Sequence, residues 1–457
     1  MWLTLPLSMI AGSIGLYQCG FVILSIGLFH CCALDSAWGA VKNGKPLWLA
    51  PNMWKYTFGA LFAFAKNKAT RLRLFMWEHQ AFGGGQYWFH GDGLWCHSYE
   101  NVEEIMKNPQ QRKRAFGCIS APAPDLFSSN LLIFLPNTGS DSEWAALRFA
   151  LHQTFFAKSE ARVGELKAKI AQDWPNAKLS DTNDKARIMR TVSKSIFYVM
   201  FGIWLEDADA TTLSGWRTSA GLFIFPRGVQ RFIFNIGINK VKKLREDTVK
   251  IIEKYNLQSK FIEMNASLPA KYQRAPVVKL CDEIMYVIGF AGIGGTSASV
   301  ETTCAFLQLK YPGESASEMI DLSKYKTSDE MVAVYKKNPV RYVKEACRLD
   351  PPVTSACTSL DIGREVQIAG RTIAFPAGTL NQYVLSMANR DEKIFKNPTL
   401  FDPDRASLDK ALTWNGAFGG TTVKEEEQTY QRICPGRYLA LDVGTTIINH
   451  AVGNKGA

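Results

Sequence analysis

The chain has 457 residues, 47% of them apolar and 21% charged, proportions of a globular protein that exclude disorder as its theme. Its formal net charge of +11 is scattered in short clusters such as Gln110-Gln111-Arg112-Lys113-Arg114. Without one dense basic tract, a nucleic-acid partner is disfavoured; an anionic membrane, an acidic redox partner or a plain solvated basic face all fit. Ten cysteines with no CxxC and no regular spacing indicate neither a zinc site nor a disulfide framework, and suit a reducing cytosol around the main domain.

Met1 to Leu34 contains no Asp, Glu, Lys or Arg and exceeds the roughly 20 residues of a membrane-spanning helix. Asp35, Lys42, Lys45 and Lys55 follow, which biases the next domain to the cytoplasmic side. A cleaved signal peptide is the rival, although no basic residues precede the apolar run. The chain therefore divides into a membrane segment (1–34), a linker (35–53) and one large domain (54–457).

From Trp54 to Phe82 a helical pattern mixes Lys66, Lys68, Arg71 and Arg73 with aromatics, suiting a membrane surface or a basic helix face. Gln86 to His90, Gly91-Asp92-Gly93 and Leu94 to His97 read as strand, turn and strand, and Asn101 to Met106 as a helix. A loop-like stretch, Phe116 to Ser142, surrounds the apolar Leu131 to Leu135. A helix then opens at Ser142 and runs to about Phe156, with Trp144 and Arg148 four apart on one face. Residues 160–265 are mostly helical. Phe223 to Pro226 and Phe232 to Phe234 suit a pocket wall or plain core.

Val277 to Leu309 reads as one long buried helix. It is interrupted chemically by Phe290-Ala291-Gly292-Ile293-Gly294-Gly295-Thr296, where each glycine costs about 1 kcal/mol relative to Ala. Tight helix packing or close approach of a flat ligand would each explain three glycines in four positions. Glu330 to Leu349 reads as a helix with Glu345 and Arg348 on one face, ended by Pro351-Pro352. Strands at Glu365 to Ala369 and Arg371 to Phe375, a turn at Pro376-Ala377-Gly378, and Pro403-Asp404-Arg405 follow. Near the end, Gln431-Arg432-Ile433-Cys434-Pro435-Gly436-Arg437 sets a cysteine in a turn just before an apolar run. Backbone N–H groups at such a turn and helix start favour a thiolate.

Taken in order, Trp144/Arg148, Glu345/Arg348, Pro403-Asp404-Arg405 and Arg432/Cys434/Gly436 resemble the motifs of the cytochrome P-450 superfamily. The resemblance spans about residues 85–440. It implies a mainly α fold with small β-sheets and haem b as cofactor, with Cys434 as the iron ligand. It also implies that Trp144, Arg148 and Arg432 hold the propionates, and that Glu345, Arg348 and Arg405 form a buried salt-bridge network. Members of the family continue further past the cysteine with strands that cap the pocket, so the stop at Ala457 implies a C-terminally truncated version of that fold.

Two departures bear on chemistry. Where oxygen-activating members carry an acid and then a Thr, this chain has Gly294 and Gly295, with Thr296 one place on as an imperfect substitute. Where members have Phe seven and Gly four residues before the cysteine, it has Glu427 and Tyr430, with Trp414-Asn415-Gly416 displaced upstream by an insertion. Both departures look like the plant allene oxide synthase, hydroperoxide lyase, divinyl ether synthase and epoxyalcohol synthase branch. Phe290, Gly294 and Gly295 match that branch's helix pattern, while Ala291 replaces its substrate-positioning Asn. The resemblance thus implies rearrangement or cleavage of polyunsaturated fatty-acid hydroperoxides without dioxygen or reductase. The alternatives are a reductase-dependent monooxygenase of the endoplasmic reticulum and a catalytically silent haem-binding protein. An endoplasmic-reticulum anchor is the expected location, with a plastid as the other choice.

Overall fold

The computed structural model describes residues 93–107, 139–157, 159–219, 242–311, 319–360, 362–368 and 371–453, together with the strand at 87–90 and the isolated positions 132 and 135. The expected membrane segment, its linker and the basic helix from Trp54 lie outside the described residues, as do both Phe-rich pieces between 223 and 234. Among the described residues, no helix is long and apolar enough to cross a membrane.

The chain is mainly α with small sheets, as expected. Strands β1 (Tyr87–His90) and β2 (Gly93–Cys96) pair antiparallel. Helix α1 (Tyr99–Lys107) follows, then α2 (Glu143–Leu151), which continues into a π-helical turn, His152–Phe156. The Ser142 hydroxyl caps α2 by accepting from the Ala145 N–H. Next come α3 (Ser159–Asp173), α4 (Lys185–Phe201), α5 (Asp207–Ser219), α6 (242–254) and α7 (Gln258–Ser267). Helix α4 is buried on nearly every face from Thr191 onward, which makes it a central pillar.

The expected long helix is present as α8 (Val278–Val287) and α9 (Gly294–Leu307), joined by a π-helical turn at Ile288–Ile293. Such turns are often found at functional sites. The single helix expected over Glu330 to Leu349 is in fact two, α10 (Ser328–Lys337) and α11 (Pro339–Leu349). Asn338 is the reason: its side chain caps α11 through the Arg341 N–H, and Pro339 fits a first helical turn but not a helix interior.

Beyond α11, β3 (Ala356–Ser359), the hairpin β4 (Arg364–Ile368) and β5 (Arg371–Phe375), and β6 (Leu380–Tyr383) follow. One sheet has the order β1-β2-β6-β3, with β6 parallel to β2, so residues nearly 290 positions apart share an edge; β4 and β5 form the other. Neither β3 nor β6 was expected, because four-residue strands without alternation carry little signal. Short α12 (Leu385–Ala388), α13 (Val423–Thr429) and α14 (Arg437–Gly453) complete the chain. Helix α4 packs against both π-helical turns, α9 and α14, and so ties the two ends of the site into one core.

Candidate haem-thiolate site

Cys434 sits on the turn leading into α14. Its N–H donates to the Trp414 carbonyl at 2.9 Å, and the Ile433 N–H donates to the Tyr430 carbonyl at 2.7 Å. The displaced Trp414-Asn415-Gly416 thus holds the cysteine after all, from across the insertion. Gly416 is required there: a Cβ would lie 2.7 Å from Cγ of Tyr430. Tyr430 in turn donates its hydroxyl to Glu103 of α1 at 2.7 Å, so a bulky residue stands where the family has Gly and is anchored.

Five cysteines among the described residues are free, and only Cys434 is not buried from solvent. Desolvation against the surrounding protein holds its thiol above the usual cysteine value, although the Gly436 N–H and the guanidiniums of Arg148 and Arg437 pull partly the other way. Cys304 and Cys347 are driven by burial up to about 12. At Gly436 a Cβ would be 3.6 Å from the Phe156 ring and 4.0 Å from Sγ of Cys434, so the π-helical turn after α2 forms part of the cysteine's surroundings.

Trp144 lies between two guanidiniums, with Cζ of Arg432 at 4.9 Å and Cζ of Arg148 at 5.2 Å from its ring. Arg148 donates to the Ile433 carbonyl at 2.7 Å and to Glu427 at 3.4 Å; Arg432 donates to the Leu135 carbonyl at 2.6 Å. The three residues expected to hold propionates therefore do converge beside Cys434. Glu427, absent from the reading of the sequence as a partner, bridges Arg148 and Arg437.

Along the π-helical turn and α9, Ala291 is exposed and Gly295 and Ala298 are half-buried, whereas Ile293, Gly294, Thr296, Ser297 and Val300 are buried. Positions 291, 295 and 298 share one helical face, a bare stripe of small residues. Among the described residues, a Cβ at Gly295 would meet nothing within 4 Å, and one at Gly294 would make only ordinary contact with the Arg217 side chain. Tight helix packing therefore does not explain this pair. It explains Gly289 instead, where a Cβ would lie 2.6 Å from the Trp216 indole of α5. Phe290 is half-buried and stacks on Tyr286 at 5.5 Å. Thr296 is 2% exposed and lies off the open stripe. Gly444 of α14 packs on Val300 of α9, where a Cβ would be 3.5 Å away, and this contact pins the stripe's helix to the helix that follows the cysteine.

Behind Cys434, Arg348 forks onto both oxygens of Glu345 at 2.7 and 2.8 Å, and Arg405 reaches Oε1 at 3.4 Å. Glu345 and Arg348 are fully buried. The remaining guanidinium N–H groups donate to the carbonyls of Asn389, Pro398, Lys396, Asn397 and Leu400, and the Asp402 N–H donates to Glu345. Every charge has its partners, which is what makes such burial tolerable. A cysteine facing two guanidiniums, cations converging beside it and a helix face stripped of side chains together fit a flat, thiolate-ligated macrocycle.

No family model matches the sequence and no curated protein does. Solved structures do. BioI, in complex with hexadec-9Z-enoic acid ligated acyl carrier protein, is 16% identical with a TM-score of 0.53, over 88% of this chain and 91% of that one. A mutant of EryK in complex with erythromycin B is 12% identical with a TM-score of 0.57, over 82% and 87%. A structure from a study of unusual cytochrome P-450-like monooxygenases in microbial secondary metabolism is 15% identical with a TM-score of 0.54, over 78% and 84%. The chain has the cytochrome P-450 fold.

Proposed function

We propose that this protein is a haem-thiolate enzyme, with Cys434 as the iron ligand and Trp144, Arg148 and Arg432 as the propionate-binding group, and that it rearranges or cleaves polyunsaturated fatty-acid hydroperoxides. The haem half rests on the fold and on the thiol's cationic surroundings. The single observation that supports the hydroperoxide half is the bare face running from the π-helical turn into α9: Ala291, Gly295 and Ala298 carry no group able to deliver a proton. Activation of dioxygen needs protons directed to a bound oxygen, and this face supplies none from a side chain. The iron, when bound, supplies homolytic opening of an O–O bond, with the cysteine thiolate donating electron density.

A hydroperoxide arrives already at the peroxide level, so the overall conversions balance without outside electrons. Dehydration to an unsaturated epoxide releases one water; isomerisation to an epoxyalcohol or cleavage into two carbonyl fragments releases none. Gly295 leaves room for the peroxide end of the chain, and Phe290 with Tyr286 offers an apolar wall. The deciding experiment mixes haem-loaded protein with linoleic- or linolenic-acid hydroperoxide under anaerobic conditions, with no reductase and no NADPH. Catalytic loss of the conjugated-diene absorbance is expected. An untouched hydroperoxide, with hydroxylation of a lipid once reductase and NADPH are added, would establish the second reading, a monooxygenase. That reading is favoured by the similarity to a structure from a study of monooxygenases.

A further inference from the structure

The insertion before Cys434 is more than a spacer. Thr422 and Glu425 form a capping box that starts α13, and this short helix delivers Glu426 into the interior. Glu426 accepts four hydrogen bonds. Oε2 takes Nε of Arg437 at 2.9 Å and Nη2 at 2.6 Å; Oε1 takes the Gly419 N–H at 2.6 Å and the Tyr438 hydroxyl at 2.8 Å. Both members of the pair are 1% exposed in their side chains. The third nitrogen of Arg437, Nη1, then donates to the Cys434 carbonyl at 3.1 Å. Gly419, with φ +86, brings that N–H into place and leaves 2.9 Å between a would-be Cβ and Nζ of Lys344.

We propose that Glu426 is a positioning residue for the cysteine ligand: it fixes the Arg437 guanidinium beside Cys434 and balances its charge, so that the insertion sets the electrostatic field at the thiolate. A guanidinium held in a bidentate fork has one orientation, and a buried charge acts through a low local dielectric. Outer partners of a ligand tune the bound metal through such hydrogen bonds and charges.

The inference rests on Cys434 being the iron ligand, so the test begins with the reduced carbonyl complex of the haem-loaded protein. A thiolate-type spectrum, lost in Cys434→Ala, is expected; its absence from the parent would overturn both readings. Reduction potential and thermal midpoint are then measured for Glu426→Gln, Arg437→Met and the double variant. Each single variant should melt earlier. Their potentials should move in opposite directions: up in Glu426→Gln, where only the half-exposed Glu427 at 3.5 Å still faces the cation, and down in Arg437→Met, where the anion is stranded. The double variant should return towards the parent potential, and Arg437→Lys, which keeps the charge, should shift less than Arg437→Met. A merely structural brace would move both single variants the same way. That result, or unchanged potentials in both, overturns the inference while leaving the haem-thiolate reading standing.

Discussion

The two walls of the site are built on opposite principles. Behind and around Cys434, charge is dense and buried: Glu345 with Arg348 and Arg405, Glu426 with Arg437, and Lys344 held by Asp409 at 2.5 Å and the Phe418 carbonyl at 2.7 Å. Along the open stripe of α9, side chains are reduced to methyls and hydrogens. The first wall is specified by satisfaction, since a buried charge that loses its partner is costly. The second is specified by omission. Changes to the cysteine wall should therefore register mainly in stability and in the ligand's electronics, and changes to the stripe mainly in what can bind.

The sharpest break in that contrast is Glu345→Ala, which strands two buried guanidiniums. A loss of about 3–5 kcal/mol is expected, measured by denaturant unfolding, with little haem-loaded soluble protein. A stability close to the parent's would show the network to be dispensable.

Gly289→Ala comes next. It belongs to the same long helix as the stripe, yet its Cβ would press into Trp216 at 2.6 Å, so overpacking of about 1–3 kcal/mol should lower the thermal midpoint. An unchanged midpoint would mean that α5 can move aside.

Tyr430→Phe removes only the hydroxyl that ties the cysteine turn to Glu103 of α1. Glu103 keeps its bond from Lys107 at 3.1 Å, so the loss should be about 1.5 kcal/mol. Replacing Glu103 by Gln, which keeps an acceptor, should cost less; an equal cost would show that the bond's charge is what counts.

Smallest, and of opposite sign, is Gly295→Ala. Its Cβ meets nothing within 4 Å among the described residues, so relief of the helical glycine should raise stability by up to about 1 kcal/mol. The added methyl projects from the bare stripe, so turnover of a bulky hydroperoxide should fall while the fold gains. A loss of stability would place Gly295 with Gly289 as a packing glycine and erase the distinction between the two.

Sequence alone determined the elements whose causes are local. The capped start of α2, the long helix, the hairpin after residue 364, and Cys434 before a helix all follow from caps, periodicity and turn residues that act within a few positions. The Glu345/Arg348 pair was legible too, because the two face the same way one helical turn apart; Arg405 joined them only through the family resemblance. The break at Asn338-Pro339 was equally local, and its N-cap and proline were overlooked in favour of an unbroken run. Tertiary structure decided what depends on distant neighbours. Gly289 and Gly295 are the same residue type in one helix, and only the Trp216 ring against the first and open space beside the second separate their roles. Likewise nothing in Lys424-Glu425-Glu426-Glu427 marks which carboxylate is buried. Helical phase places Glu426 inward, and the Arg437 fork then selects it, because a buried carboxylate is stable only where donors from other segments converge.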